Sequence, residues 1–344
     1  MIFLQKEEKV PFFNTKDTLF QYSADMLIIG TALLSAGIYL NGVNALFHAL
    51  ISCMSAVLCE YICFTLFLKK QTLGDLSALS MGLLIALTLP ASAPLWLSAV
   101  ASAFAVIAVK LPFGGARYAP FVPACAGICF ISLCFPQYMF TYAAESSAGL
   151  FVTDKAFVSG TTLLDLLSAG KSVSLNTFGR IALFSGTYPG AIGTTSVLMM
   201  IASALYLFVR RPKRLYSFIG FICAVTVVAL LFPRVNSGLL SSVVLELSAG
   251  SLLFTALMFI PDPVTSPKDA NAALIYGAAA GFIAMLLRFF AKVEDPVFFS
   301  VLIINALWPV FVREKSKNEK SGKRKPLIKT VKKPKAEGQV AMVE

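Results

Sequence analysis

Ten apolar segments constrain this 344-residue chain more than any other feature. Hydrophobic residues make up 57% of the chain and the mean hydropathy is +0.78, above the range of soluble domains. Most segments approach the roughly 20 apolar residues that cross a bilayer as a helix. The pattern therefore predicts an all-α integral membrane protein with about ten transmembrane segments. They cover residues 22–41, 43–68, 77–90, 94–111, 120–136, 195–210, 215–233, 238–260, 271–290 and 297–312.

An internal similarity predicts how these segments are arranged. The stretch Leu83–Pro94 resembles Leu252–Pro263, and both end an apolar run in a proline-rich break. Five segments per half is an odd number, so the second half is inverted with respect to the first. This is typical of two inverted five-helix repeats with broken helices. Segments 77–90 and 195–210 are short enough to be half-spanning. Chance similarity between two leucine-rich stretches is the alternative.

Positive charges orient the predicted spans. The basic run Arg210–Arg214 joins segments six and seven, and the tail after residue 312 holds eleven Lys/Arg against four Asp/Glu. The positive-inside rule then places both termini in the cytoplasm. We predict that the tail contacts anionic lipid headgroups rather than nucleic acid. The predicted divisions are 1–21, a cytoplasmic N-terminus; 22–136, the first repeat; 137–194, an extracytoplasmic loop; 195–312, the second repeat; and 313–344, a basic, disordered cytoplasmic tail.

Two carboxylates fall inside apolar spans, Glu60 and Glu246. A charge within a membrane is costly, so both are candidates for a cation or proton path. The alternative for each is a helix–helix hydrogen bond or a carboxyl that is kept neutral. The seven cysteines also lie in or beside apolar spans, where they are either small buried residues or ligands of an intramembrane iron–sulfur site.

Three glycine- and proline-rich junctions separate the segments: Phe113–Pro123, Tyr188–Ser196 and Asp262–Pro267. Each places backbone amides or carbonyls at a helix end, and a helix N-terminus favours a phosphate or another anion. The polar region 137–194 contains a further string, Ser159-Gly160-Thr161-Thr162, which by itself is an ordinary turn. We find no P-loop, dinucleotide fingerprint or ferredoxin-type cysteine run, so nicotinamide and cluster binding are expected of partner subunits.

The order and spacing of these junctions resemble the NqrB/RnfD membrane subunits of sodium-pumping NADH:quinone reductase and of the Rnf complex. The resemblance covers residues 20–315, and the chain's length makes it more similar to RnfD. The residues that carry it are Leu76–Pro90, the Phe113-Gly114-Gly115 turn, Phe121-Val122-Pro123-Ala124 (similar to the family's F-N-P-A), the other two junctions and Asn305-Ala306.

This resemblance implies a cofactor. In that family, a threonine in a Ser-Gly-Ala-Thr motif carries FMN through a phosphoester bond made by a separate flavin transferase. Aligned here, Ser159, Gly160 and Thr161 precede the implied acceptor Thr162, and Thr161 adds a second hydroxyl where the family has alanine. The junction pattern Gly-Ser-Ile-Gly-Glu-Thr-Ser lacks its glutamate in Gly190–Ser196. A second, non-covalent flavin is also implied.

The implied function is that of a membrane flavoprotein in an Rnf-type complex of the bacterial cytoplasmic membrane. Such a complex passes electrons between ferredoxin and NAD and couples this to Na⁺ or H⁺ translocation. The chain would act with other membrane and peripheral Rnf-type subunits and would not be catalytic alone. The alternative is an inverted-repeat transporter or channel without a redox cofactor of its own, in which Ser159–Thr162 is only a turn.

Overall fold

The computed structural model describes residues 19–67, 73–142, 162–168, 180–234, 239–291 and 293–322. These residues form helices and connections, without a β-strand in the described ranges. The helices are α1 (Leu19–Asn41), α2 (Val43–Phe67), α3 (Ser77–Thr88), α4 (Leu95–Phe104), α5 (Pro123–Cys134), α6 (Pro136–Met139), α7 (Leu163–Ser168), α8 (Arg180–Ser185), α9 (Val197–Arg210), α10 (Leu215–Leu231), α11 (Leu239–Ser248), α12 (Leu252–Met258), α13 (Ala270–Phe290) and α14 (Val297–Gly322).

Each of the ten predicted segments contains a helix or a pair of helices. Four helices are long and apolar enough to cross a membrane: α1, α2, α10 with the turn before it, and α13. The pair α11 and α12 is bent by 65° at a short break and gives a fifth candidate span. Helices α3, α4, α5, α9 and the apolar part of α14 are shorter. The helical membrane architecture is therefore confirmed, whereas the count of ten spans and the inverted repeat stay predictions.

Helices pack closely where small residues face one another. In the first half α2 packs against α3 and α4, and in the second half α10 packs against α13. A Cβ atom added at Gly277 of α13 would lie 2.0 Å from the backbone oxygen of Ser217. One added at Gly220 of α10 would lie 2.2 Å from the oxygen of Leu274. Glycine at both positions lets the two backbones touch, as is common between membrane helices.

Replacing Gly277 with alanine is expected to destabilise the chain by about 1–3 kcal/mol, because the methyl group would push α10 away from α13. Thermal unfolding of the purified protein in detergent measures this loss. Gly74→Ala is the matched control, since no atom lies within 4 Å of a Cβ added there. Equal unfolding temperatures for the two variants would contradict the close contact between these helices.

The end of α4 contains a buried positive charge. Residues Ala105–Lys110 continue α4 as a π-helical turn, whose hydrogen bonds join residues five apart. Lys110, near the end of the predicted fourth segment, is fully buried, and its Nζ lies 2.5 Å from Oε1 of Glu60 on α2. This lysine is therefore an internal ion-pair partner of Glu60.

Two of the predicted divisions contain helices that the sequence pattern did not predict. The described part of the loop 137–194 holds α7 and α8, whose leucines pack against Leu245 of α11 and against Ala249, which follows α11. Helix α14 continues to Gly322, past the predicted start of the disordered tail at residue 313. Lysine, arginine and glutamate dominate that extension and are good helix formers, which explains the difference. The chain divides into one compact unit up to Ala306 and a second one from Leu307.

Candidate functional site

A cleft beside Thr162 brings together residues from six parts of the chain, one of which is Thr162 with the start of α7. It encloses about 490 Å³ of empty space, including its opening to the outside. The cleft is lined by Thr88 at the end of α3 and by the 188–194 junction. The α11–α12 break and the connection before α14 complete these walls. Phe140 and Tyr142 after α6 add aromatic surface. The lining that the structure describes contains two carboxylates and neither lysine nor arginine.

Thr162 stands at the edge of this cleft and is 6% exposed. Its Oγ1 donates a hydrogen bond of 3.0 Å to Oε1 of Glu294, which follows α13. Helix α7 begins at the next residue, and its Leu163, Leu164 and Leu167 pack in an apolar cluster against α8 and α11. The apolar face of α7 thus anchors the threonine, while its hydroxyl faces the cleft. Ser159, Gly160 and Thr161 lie outside the described residues.

The Tyr188–Ser196 junction forms another wall of the cleft by binding the end of α3. A helix leaves its last carbonyl groups without intrahelical partners. Here the N–H groups of Gly193 and Ile192 donate to the oxygens of Leu87 and Leu89, at 2.7 and 3.0 Å. The Tyr188 hydroxyl donates to the Ser248 oxygen at 2.9 Å. Burial raises the pKa of the Tyr188 phenol well above its usual value, so it remains a hydrogen-bond donor.

The break between α11 and α12 is stabilised by one charge at each helix end. Gly250 adopts a φ of +62°, a conformation that glycine accepts readily. At the C-terminal end of α11, Arg288 Nη1 donates to the oxygen of Glu246 at 3.0 Å, and its Nη2 donates to the oxygen of Ala249 at 2.5 Å. At the start of α12, Asp295 Oδ2 accepts from the N–H of Ser251 at 2.7 Å. Both charges have the sign that the helix dipoles favour.

A second cleft of about 530 Å³ lies where the other two junctions meet. Residues Phe121–Ala124 and Asp262 face α1 and α3 across it. Asp262 Oδ2 accepts from the N–H groups of Val264 and Thr265 at 3.1 and 3.0 Å. Tyr22 of α1 lines the same cleft, and the guanidinium carbon of Arg214 lies 4.9 Å from its ring centre.

The two predicted ion-path residues are both in ion pairs. Glu60 contacts Lys110 at 2.5 Å. Glu246 Oε2 lies 3.2 Å from Arg288 Nη1, and its Oε1 lies 3.4 Å from Arg234 Nε. Glu60 and Glu246 are therefore not brought to a common site by these contacts. Within the described ranges, no group of three or more His, Cys, Asp or Glu side chains could hold a metal ion.

Sequence reasoning missed two carboxylates of this structure. Asp25 of α1 is buried, and its two oxygens accept from Arg210 Nη2 at 3.0 Å and Arg211 Nε at 2.9 Å. An acidic residue in the first span opposite a basic run was the available signal. Glu294 gave a weaker sequence signal, because carboxylates are common in the connections between two spans.

Comparison with known families identifies this architecture. The model of the family described as "NQR2, RnfD, RnfE family" matches residues 6–319, nearly the whole chain. The chain belongs to the NQR2, RnfD, RnfE family. The resemblance predicted from the junction motifs is thereby confirmed.

Curated members of the NQR2, RnfD, RnfE family agree with the greater similarity to RnfD. The D subunit of the ion-translocating oxidoreductase complex of Stutzerimonas stutzeri is 31% identical over 300 residues, which cover 80% of this chain and 85% of the relative. The D subunit of the Na⁺-translocating ferredoxin:NAD⁺ oxidoreductase complex of Acetobacterium woodii is 28% identical, covering 88% and 91%. The D subunit of the proton-translocating ferredoxin:NAD⁺ oxidoreductase complex of Clostridium ljungdahlii is also 28% identical, covering 80% and 83%.

Proposed function

We propose that this chain is the RnfD-type membrane component of an Rnf-type complex and carries FMN on Thr162 through a phosphoester bond. The observation that carries the proposal is the Thr162 hydroxyl at the edge of a cleft to which two family motifs contribute. These are the end of α3 and the 188–196 junction. Membership of the family supports the assignment.

The polar groups of the cleft fit a flavin. Ser251 Oγ and Asp295 Oδ1 are buried and have no hydrogen-bonding partner among the described residues. Both residues line the cleft, where a ribityl chain and the edge of a flavin ring would offer donors and acceptors. The rings of Phe140 and Tyr142 offer apolar surface for the ring face. When bound, FMN supplies the electron-transfer chemistry, and these residues would fix its position.

Thr162→Ala is expected to abolish covalent flavin, because the variant lacks the hydroxyl that would form the ester. The chain is co-expressed with a flavin transferase, and flavin fluorescence is measured on a denaturing gel, followed by peptide mass mapping. Thr161→Ala is the matched control and should keep the label. Persistent labelling of the Thr162→Ala variant would refute the site. An unlabelled wild-type chain would instead favour the transporter or channel hypothesis.

In the complex, the chain would take part in electron transfer between ferredoxin and NAD⁺ that is coupled to Na⁺ or H⁺ translocation. The relative named as Na⁺-translocating and the relative named as proton-translocating are equally similar to this chain, at 28% identity each. Glu60 and Glu246 are the proposed carboxylates of the ion path, and a passing cation would compete with Lys110 or Arg288 for them. Partner subunits would bind nicotinamide and hold the clusters.

The second cleft is the place we propose for a second, non-covalent flavin. Tyr22, Ser77 and Ser80 give it hydroxyl groups beside the apolar lining. Acid extraction of the purified protein releases such a flavin and leaves the covalent one attached, so the two can be counted separately.

We propose further that both termini are cytoplasmic and the Thr162 cleft extracytoplasmic. Labelling of a cysteine introduced at exposed Lys213 from either side of the membrane tests this orientation.

A further inference from the structure

The hydrogen bond between Thr162 and Glu294 joins residues that lie 132 positions apart. Glu294 is half-buried in the connection between α13 and α14. The next residue, Asp295, fixes this connection by accepting from the Ser251 N–H at the α11–α12 break. The tertiary fold thus directs a carboxylate oxygen at the hydroxyl of the threonine.

We infer that Glu294 is the base that accepts the proton of Thr162 when the flavin phosphoester forms. This inference rests on the proposed function. A threonine hydroxyl is a weak nucleophile unless a neighbouring base removes its proton. The donor is a flavin dinucleotide in which FMN is joined to AMP by a pyrophosphate. The bond from Thr162 Oγ1 to the FMN phosphorus forms, the pyrophosphate bond breaks, AMP leaves, and the proton passes to Glu294 Oε1 without a change in oxidation state.

The test uses the full-length chain purified without flavin, incubated with flavin transferase, FAD and Mg²⁺, and sampled over time by intact mass. Glu294→Gln keeps the shape but removes the base, and its rate at saturating chain concentration should fall about 100-fold, with little change in KM. Glu294→Asp should recover most of the rate. Asp269→Asn, an exposed carboxylate at the start of α13, is the control and should react like the wild type.

A second variant tests the role independently of side-chain shape. Glu294→Ala should be slow, and added formate should accelerate it by supplying the missing carboxylate. Wild-type rates for Glu294→Gln would overturn the inference, as would Glu294→Asp that is as slow as Glu294→Gln. In both cases labelling of wild-type Thr162 would leave the proposed function standing. An unlabelled wild-type chain would overturn both.

Discussion

Replacing Arg288 with alanine is expected to lower the free energy of unfolding by about 3–5 kcal/mol, because it removes one member of a buried ion pair. The side chains of Arg288 and Glu246 are each 1% exposed. The same guanidinium donates to the oxygens of Glu246 and Ala249 at the end of α11. Alanine would leave a carboxylate and two backbone carbonyls without these donors, each at a cost.

Arg234→Ala is the matched control for this prediction. Arg234 contacts the other oxygen of Glu246 at a longer distance, 3.4 Å, and is more exposed. Its removal should cost less than that of Arg288, because this contact is an ion pair without a hydrogen bond. Denaturant unfolding in detergent compares the two variants. A loss for Arg288→Ala no larger than that for Arg234→Ala would show that Arg288 does not hold the break.

Lys110→Met is expected to cost a similar amount, about 3–5 kcal/mol, because it leaves the carboxylate of Glu60 buried without its cation. The two groups lie 2.5 Å apart, with side-chain exposures of 0% and 1%. Unfolding in detergent again measures the loss.

The double variant Lys110→Met with Glu60→Leu should recover most of this loss, because a well-packed apolar pair often replaces a buried ion pair without penalty. The single variant Glu60→Leu completes the cycle and should be as damaging as Lys110→Met, since it leaves a lone ammonium group. A double variant that loses the sum of the two single losses would contradict the coupling of these residues.

The helices were predictable because their signal is local. Apolar runs of the length of α1, α2, α10 and α13 have few alternatives to a membrane helix. The break in the eighth segment was expected at Pro261, whereas the structure also breaks it at Gly250. A single glycine within an apolar run is a weak signal. Arg288 and Asp295, which stabilise the break, lie about 40 residues further along the chain.

The chemistry of the site was predictable only in part. Thr162 was predicted from its motif, and Glu60 and Glu246 were predicted because a carboxylate inside an apolar run is unusual. Their partners were not found, because pairing depends on which helix faces meet. Lys110, the partner of Glu60, lies in the π-helical turn at the end of α4, and no residue pattern predicts such a turn. The contact of Thr162 with Glu294 likewise exists only in the folded chain.

Helix α3 is a common wall of both clefts. Ser77 and Ser80 in its first turn line the second cleft, and Thr88 at its last turn lines the cleft of Thr162. All of its residues except Leu79 are buried. Its twelve residues span about 17 Å from first to last at the usual rise of an α-helix. The helix therefore fixes the distance between the two clefts, and its buried position in the core keeps that distance constant.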